Sequence, residues 1–272
     1  MSILKDGKPA ENSTSYRPIS LTCCFGKLME KMVSERLIWY LEKKRLLVNY
    51  QAGFRRNRST TDNLIMLQDA IEEAFGKRQH TVAVFFDLEK AYDTTWRYNI
   101  LSKMYRWGLR GKLPRFIESF LSDRYFKIKV GNTISQHHTL ENGIPQGSTL
   151  SVILFAVAVN DLAAEVSGSV GKCLYVDDLA IYASGERIGK ITEKLQRAID
   201  TIAVNARKTG FKFSLAKTSC MHFCRLRRPH YDPLLYLNGG NIKCAETFKF
   251  LGLNFDAKLN WLHHVDTFIM DL

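Results

Sequence analysis

Thr81-Val-Ala-Val-Phe-Phe-Asp87, set beside Lys172-Cys-Leu-Tyr-Val-Asp-Asp-Leu-Ala-Ile-Tyr-Ala183, decides how this chain folds. The first stretch is uniformly apolar and β-prone, the signature of a strand buried on both faces, and it ends on a carboxylate. The second gives two strands, Lys172–Val176 and Leu179–Ala183, joined directly at Asp177-Asp178 in a tight hairpin. Between them lie helical patterns at about 94–107 and 113–122 and an alternating stretch over 125–141 around Gly131-Asn132. A strongly apolar helix follows at Ser148–Glu165. After the hairpin come an amphipathic helix, Ile188–Ala206, and strands at Phe211–Leu215 and Ser219–Phe223. Strand, helices, strand-hairpin-strand, helix, strand is a ferredoxin-like split βαβ pattern, an α+β antiparallel sheet with helices on one face.

Upstream, Leu28, Met29, Met32, Val33, Leu37, Ile38 and Leu41 recur at helical spacing. A second helix, Asp62–Phe75, is capped by Ser59/Thr60 and turns Leu64, Ile65, Leu67, Ile71 and Phe75 inward. Downstream, Pro233–Leu237 and Ile242–Phe255 read as strands about an Asn238-Gly-Gly240 turn. No repeat or linker-like stretch interrupts the chain, which reads as one continuous domain with lobes.

Composition narrows the partners. Lys plus Arg number 39 and Asp plus Glu 27 in 272 residues, a net charge of +12, which suits a polyanionic partner. Hydrophobic residues at 46% and charged residues at 24% exclude a disordered chain. The longest apolar run, Val152–Val159, is far short of the roughly 20 residues a bilayer needs, and the first residues lack a secretory apolar core. An intracellular protein, nuclear or cytoplasmic and away from membranes, is expected, with its six cysteines reduced. Cys220, His222 and Cys224 share one strand face with His230 downstream, but the spacing matches no standard finger or ribbon. They read as core thiols rather than a metal site.

Asp87 ends the buried strand, and Asp177 and Asp178 sit on the neighbouring hairpin, so three carboxylates should converge at one edge of the sheet. Asp-Asp alone is an ordinary turn choice. A carboxylate ending a core strand is harder to explain, because burial disfavours charge. Crowded carboxylates raise one another's pKa and are relieved by a hard cation such as Mg²⁺, and a pair of such ions serves phosphoryl transfer.

Six segments in order then resemble the reverse transcriptase of a LINE-type, jockey-like non-LTR retrotransposon. They are Tyr16-Arg-Pro-Ile-Ser-Leu21; Gln51-Ala-Gly-Phe-Arg55 through Ser59-Thr60; Phe86-Asp-Leu-Glu-Lys-Ala-Tyr-Asp93; Gly143-Ile-Pro-Gln-Gly-Ser148 with Leu154-Phe155; Tyr175-Val-Asp-Asp178; and Phe250-Leu-Gly-Leu253. The resemblance implies a right-hand polymerase fold. It implies fingers in 1–80, a palm in 81–246 with finger insertions, and a primer-grip strand and start of a thumb in 247–272. It implies RNA-directed DNA polymerase activity with an RNA template, a DNA primer, dNTPs and two Mg²⁺ ions, Mn²⁺ being an alternative.

Carried over residue by residue, Asp87 and Asp177 match the principal metal ligands, with the Leu88 carbonyl assisting and Asp178 as third carboxylate. Tyr92 matches the steric gate that excludes a ribose 2′-hydroxyl, where many relatives have Phe. Gln146 and Gly147 match the segment that touches nucleotide and template; relatives follow it with a proline where this chain has Val152. Lys5, Arg17 and Arg55 resemble the triphosphate clamp, since arginine binds phosphate in bidentate fashion. Lys217 aligns with a lysine that protonates the leaving pyrophosphate, although Ser214-Leu-Ala replaces the usual Asn-Pro before it. Asp93 reads as the N-cap of a helix from Thr94.

An RNA-dependent RNA polymerase would share the carboxylates but favours Gly-Asp-Asp over Tyr-Val-Asp-Asp, and a group II intron maturase would share the polymerase motifs. The reading from another class is a nucleic-acid-binding remnant without turnover. The chain stops some 20 residues past Phe-Leu-Gly-Leu, and Trp261, Val265, Phe268, Ile269 and Leu272 make an uncovered apolar stripe, as in a truncated element lacking its thumb and upstream endonuclease.

Overall fold

The structure, a computed structural model, describes residues 2–265 apart from 6, 8, 13, 14, 131, 228, 229, 262 and 263, so Phe268, Ile269 and Leu272 lie outside the described residues. The elements begin with β1 (Ser2–Leu4), β2 (Tyr16–Pro18), α1 (Cys24–Lys43), α2 (Thr60–Gly76), β3 (His80–Phe86), a one-turn α3 (Ala91–Thr94), α4 (Arg97–Arg106) and α5 (Lys112–Leu121). Short strands β4 (Tyr125–Phe126), β5 (Lys129–Val130), β6 (Thr133–Ile134) and β7 (His138–Thr139) precede α6 (Thr149–Val159). Then come β8 (Gly171–Tyr175), β9 (Asp178–Gly185), α7 (Ile188–Thr209) and β10 (Ser219–Phe223). The chain continues through β11 (Tyr236–Leu237), β12 (Gly240–Asn241), β13 (Lys243–Cys244), β14 (Thr247–Phe250) and β15 (Leu253–Asp256). They fall into two compact units, one of residues 1–47 and 90–158, the other of 48–89 and 159–272.

In the first unit β1 and β2 form an antiparallel ribbon with Ile3 opposite Arg17. Helix α1 buries Val33, Leu37 and Leu41, but Leu28, Met29 and Met32, expected inside, stand exposed. The 125–141 stretch folds as nested hairpins, β4 with β7 and β5 with β6. Helix α6 is apolar all round, with Leu150, Leu154, Phe155 and Val157 fully buried. Its two ends are satisfied by buried charges of the expected sign. At the start, Glu30 Oε2 accepts from Ser148 Oγ (2.6 Å) and Thr149 N–H (2.9 Å). At the end, Lys103 Nζ donates to the Val157 and Ala158 carbonyls (3.2 and 2.8 Å). The helix stops at Val159, six residues before the expected Glu165. Asn160 turns aside there, its Oδ1 accepting from Val48 N–H (2.9 Å).

The second unit holds a five-stranded sheet ordered β13-β10-β3-β9-β8. Strand β3 runs antiparallel to both β9 and β10, which is the split βαβ arrangement; β13 adds a parallel edge to β10. All seven residues of β3 are buried, so both faces of the sheet are covered rather than one. Leu67 and Ile71 of α2, with Phe250 and Phe255 of β14 and β15, meet the face that carries Ala83, Phe85, Ala180 and Met221. Helix α7 packs on β9 and β3. Ile65, read as inward, lies on the exposed side of α2.

Three strand expectations change. Phe211–Leu215 is not a strand: only Phe213 bridges Leu88, through Ser214 N–H to the Asp87 carbonyl (2.9 Å), and the chain then turns, with Lys217 and Thr218 N–H bonding back to the Ser214 carbonyl (3.3 and 2.9 Å). Pro233–Leu237 shortens to β11, which pairs with β12 about Asn238-Gly239. The long strand expected at Ile242–Phe255 breaks into β13, β14 and β15, with Leu251 and Gly252 at φ +49° and +89° turning the last two into a hairpin. Among the described residues no helix is long and apolar enough to cross a membrane.

Candidate active site

The carboxylates gather in the second unit. Register pairs Phe86 with Leu179 and Tyr175 with Asp178, so the next rung sets Asp87 beside Asp178. Asp87 is pinned through its backbone: its N–H donates to Thr218 Oγ1 (3.4 Å) and its carbonyl accepts from Ser214. Leu88 bridges Phe213, and Glu89 N–H donates to the Lys212 carbonyl (2.9 Å), which fixes the exit from the strand. Lys217 Nζ lies 3.2 and 3.4 Å from the two Asp87 carboxylate oxygens, so its ammonium is the countercharge of that acid.

The hairpin turn is Val176-Asp177, not Asp177-Asp178; Asp178 is the first residue of β9 and pairs with Tyr175. Val176 sits at φ +60°, a left-handed conformation that a β-branched residue rarely takes and that surrounding structure must hold. Gln51 holds it. Its Oε1 accepts from Gly53 N–H (2.8 Å) and Val176 N–H (3.4 Å). Ala52 N–H donates to the Leu174 carbonyl and Leu174 N–H to the Tyr50 carbonyl (2.8 and 2.9 Å). Gly53 leaves room for the turn, since a Cβ there would lie 2.6 Å from Val176 N. This buttressing by Gln51 and Gly53 was missed in the sequence, which carries no sign of which backbone passes over a glycine.

Asp178 reports the crowding. Its carboxyl is pushed up to about 6, first by partial burial and then by the charges of Asp177 and Asp87. Three carboxylates and the Leu88 carbonyl are an all-oxygen donor set whose acids resist joint ionisation, and this chemistry fits a hard divalent cation.

Most of the expected nucleotide residues belong to the first unit. Tyr92 stacks on Phe155 at 4.8 Å between centroids and 10° between planes. The Gly143-Ile144 backbone is tied to that segment, with Ile144 N–H on the Tyr92 carbonyl and Gly143 N–H on the Thr95 carbonyl (both 2.9 Å). Gly143, at φ +83°, has no space for a Cβ, which would fall 2.6 Å from the Asp93 carbonyl oxygen. Ser20 N–H donates to the Gln146 carbonyl (2.8 Å), bringing Gln146 and Gly147 beside the segment that follows Arg17. Lys5 N–H joins Ser15 (2.8 Å) on the β1–β2 ribbon. Asp93 is not a cap; it lies inside α3, whose N-cap is Lys90. Partial burial raises its pKa, while Lys90 and Lys5 pull it back.

Arg55 belongs to the second unit. Its Nη1 donates to the Val48 and Gln51 carbonyls (2.8 and 3.1 Å), bracing the segment that buttresses the hairpin.

Residues 3–255 match the family model described as reverse transcriptase (RNA-dependent DNA polymerase). The chain is 30% identical over 269 residues to the probable RNA-directed DNA polymerase from transposon BS of Drosophila melanogaster, covering 97% of this chain and 30% of that protein. It is 28% identical over 269 residues to the RNA-directed DNA polymerase from mobile element jockey of the same species, covering 97% and 29%. The chain thus spans under a third of those relatives' length. The resemblance to jockey-like non-LTR polymerases is borne out. In fold it is similar to apo telomerase from Candida tropicalis truncated from its C-terminal domain, with TM-score 0.59, 13% identity, 86% of this chain and 45% of that chain.

Proposed function

The chain belongs to the reverse transcriptase (RNA-dependent DNA polymerase) family, and on that premise we propose that it is the catalytic segment of an intracellular RNA-directed DNA polymerase that extends a DNA primer along an RNA template. The observation that carries the proposal is the convergence of Asp87, Asp177 and Asp178 at one end of β3 and β9, where burial first and then the charges of Asp177 and Asp87 push Asp178 up to about 6. Such a set has little use in a merely binding surface and an evident one in nucleotidyl transfer.

In this account Asp87, Asp177 and Asp178, with the Leu88 carbonyl, would hold two divalent ions, Mg²⁺ or Mn²⁺. When bound, the ions neutralise charge developing on the attacking and leaving oxygens. Lys217, whose ammonium lies on the Asp87 carboxylate, is the proton donor for the departing pyrophosphate. Tyr92, held flat by Phe155, closes the space a 2′-hydroxyl would need. Lys5 and Arg17 clamp the β- and γ-phosphates, and Gln146 and Gly147 meet the nucleotide and template. Arg55, spent on backbone carbonyls, takes the bracing role instead. The palm assignment then falls on the second unit's sheet and the fingers assignment on the first unit's ribbon and α1, with the thumb beginning after β15.

The test is primer extension by the purified chain on matched RNA and DNA templates, with dNTPs or NTPs. The proposal expects extension on RNA with dNTPs. Preference for NTPs, or binding of the duplex without extension, refutes it.

A further inference from the structure

At the opposite end of β3 from Asp87, the strand begins with His80. The register that pairs Phe223 with Thr81 sets Cys224 opposite His80 at the next rung, with His222 two residues inside on the same strand face. The following loop returns His230 to the same place. The ligand-capable atoms of His80, His222, Cys224 and His230 all lie within 4.8 Å of one another, the first three residues being buried. We propose that these four residues form a structural zinc site, separate from the carboxylates of the active site.

Three features of the geometry support it. His80 Nδ1 and His222 Nε2 face each other at 3.0 Å, near the ~3.3 Å edge of a tetrahedron with Zn–N bonds of about 2.0–2.1 Å. His222 Nδ1 lies 3.1 Å from Asp232 Oδ1, the carboxylate–histidine pairing that fixes the tautomer and aims the other nitrogen at a metal. Cys224 Sγ accepts the Leu226 N–H at 3.3 Å, a bond that strengthens as the sulfur becomes a thiolate.

A hydrogen-bonded relay from Asp232 through His222 to His80 would satisfy two rings without a metal. It does not account for the cysteine at the next rung, nor for His230 set edge-on to both rings at 4.8 and 5.2 Å. Nitrogen and sulfur donors suit zinc, whereas Mg²⁺ prefers the oxygen cluster. Four protein ligands close the site, so its role is to staple the loop after β10 to the start of β3.

Zinc content of the chain, purified without chelator and desalted after exposure to Zn²⁺, should be one ion per chain in both wild type and Asp177→Ala. Co²⁺ alone, added to the zinc-free chain, should give visible tetrahedral bands and a thiolate charge-transfer band. The charge-transfer band should survive Cys23→Ser/Cys24→Ser and vanish in Cys224→Ser. Asp232→Asn should weaken zinc roughly 10–100-fold while keeping every ligand. A wild-type chain that holds no zinc after desalting, or whose Co²⁺ spectrum lacks the thiolate band, overturns the proposal whether or not any variant folds. Zinc that leaves with Asp177→Ala also overturns it, by assigning the metal to the carboxylates.

Discussion

Gly53→Ala tests whether the Gln51-Ala-Gly segment positions the catalytic hairpin. Gly53 has no positive φ that would demand glycine, so space alone explains it. An alanine Cβ would lie 2.6 Å from Val176 N and 2.8 Å from its Cγ2, about 0.8 Å inside the 3.4 Å where ordinary contact begins. The obstacle is largely backbone, so the Val176-Asp177 turn must recede by most of that distance, loosening the 3.4 Å bond from Val176 N–H to Gln51. Overpacking of this kind costs about 1–3 kcal/mol, opposed by about 0.4–1 kcal/mol that alanine gains by restricting the unfolded chain. At roughly 2–4 °C per kcal/mol, melting should fall by a few degrees. A shift approaching 1 Å in a catalytic group lowers turnover on the order of 100-fold, so single-nucleotide incorporation should suffer far more than stability does. Gly189→Ala is the control: nothing lies within 4 Å of its Cβ on α7, and it should leave stability unchanged or raise it by up to about 1 kcal/mol. Wild-type melting and wild-type incorporation by Gly53→Ala would refute the reasoning.

Other consequences follow from the same contacts. Asp178 binds its proton more tightly folded than unfolded, so the metal-free chain should lose stability as pH rises from about 4 through 6, and Asp178→Asn should flatten that slope in melts across pH. Because that proton competes with the cation, Mg²⁺ affinity by calorimetry should drop roughly fivefold between pH 6 and pH 5 and level off above 7. Glu30→Gln removes the charge at the start of α6 and should lower the unfolding free energy by about 1–3 kcal/mol, seen as a lower denaturant midpoint at an unchanged m-value; an unchanged midpoint contradicts the capping role. Tyr92→Ala should raise the ribonucleotide-to-deoxynucleotide ratio of kcat/KM on the order of 10–100-fold while Tyr92→Phe leaves it alone, and equal ratios in all three proteins would remove the gate.

What the sequence revealed was the part encoded locally. A uniformly apolar run ending on Asp87 and a hairpin holding two aspartates announce strand ends, and the order strand, hairpin, strand is enough to bring them together in a split βαβ sheet. The errors have a common physical cause in long-range contacts. Leu28, Met29 and Met32 have the spacing of a buried face, yet spacing alone does not say which part of an apolar stripe finds a partner. Phe211–Leu215 has strand composition, but after the single bridge at Phe213 the chain turns, Lys217 and Thr218 N–H closing on the Ser214 carbonyl. Glu30 ends up capping a helix 118 residues away. His80 meets His222 across 142 residues, so the cysteine–histidine segment read alone gave no sign of the histidine that faces it from another strand. The role of Gly53 was invisible for the same reason.

The central claim is that Asp177 acts in the chemistry of a template-directed polymerase. Single-nucleotide incorporation on an RNA–DNA primer-template, measured beside duplex affinity for wild type and Asp177→Ala, addresses it most directly. A metal-held carboxylate contributes several kcal/mol to the transition state, so at about 4 kcal/mol incorporation should fall roughly a thousandfold while duplex affinity changes little. Equal incorporation by the two proteins, or a loss that follows duplex binding in proportion, would contradict the account.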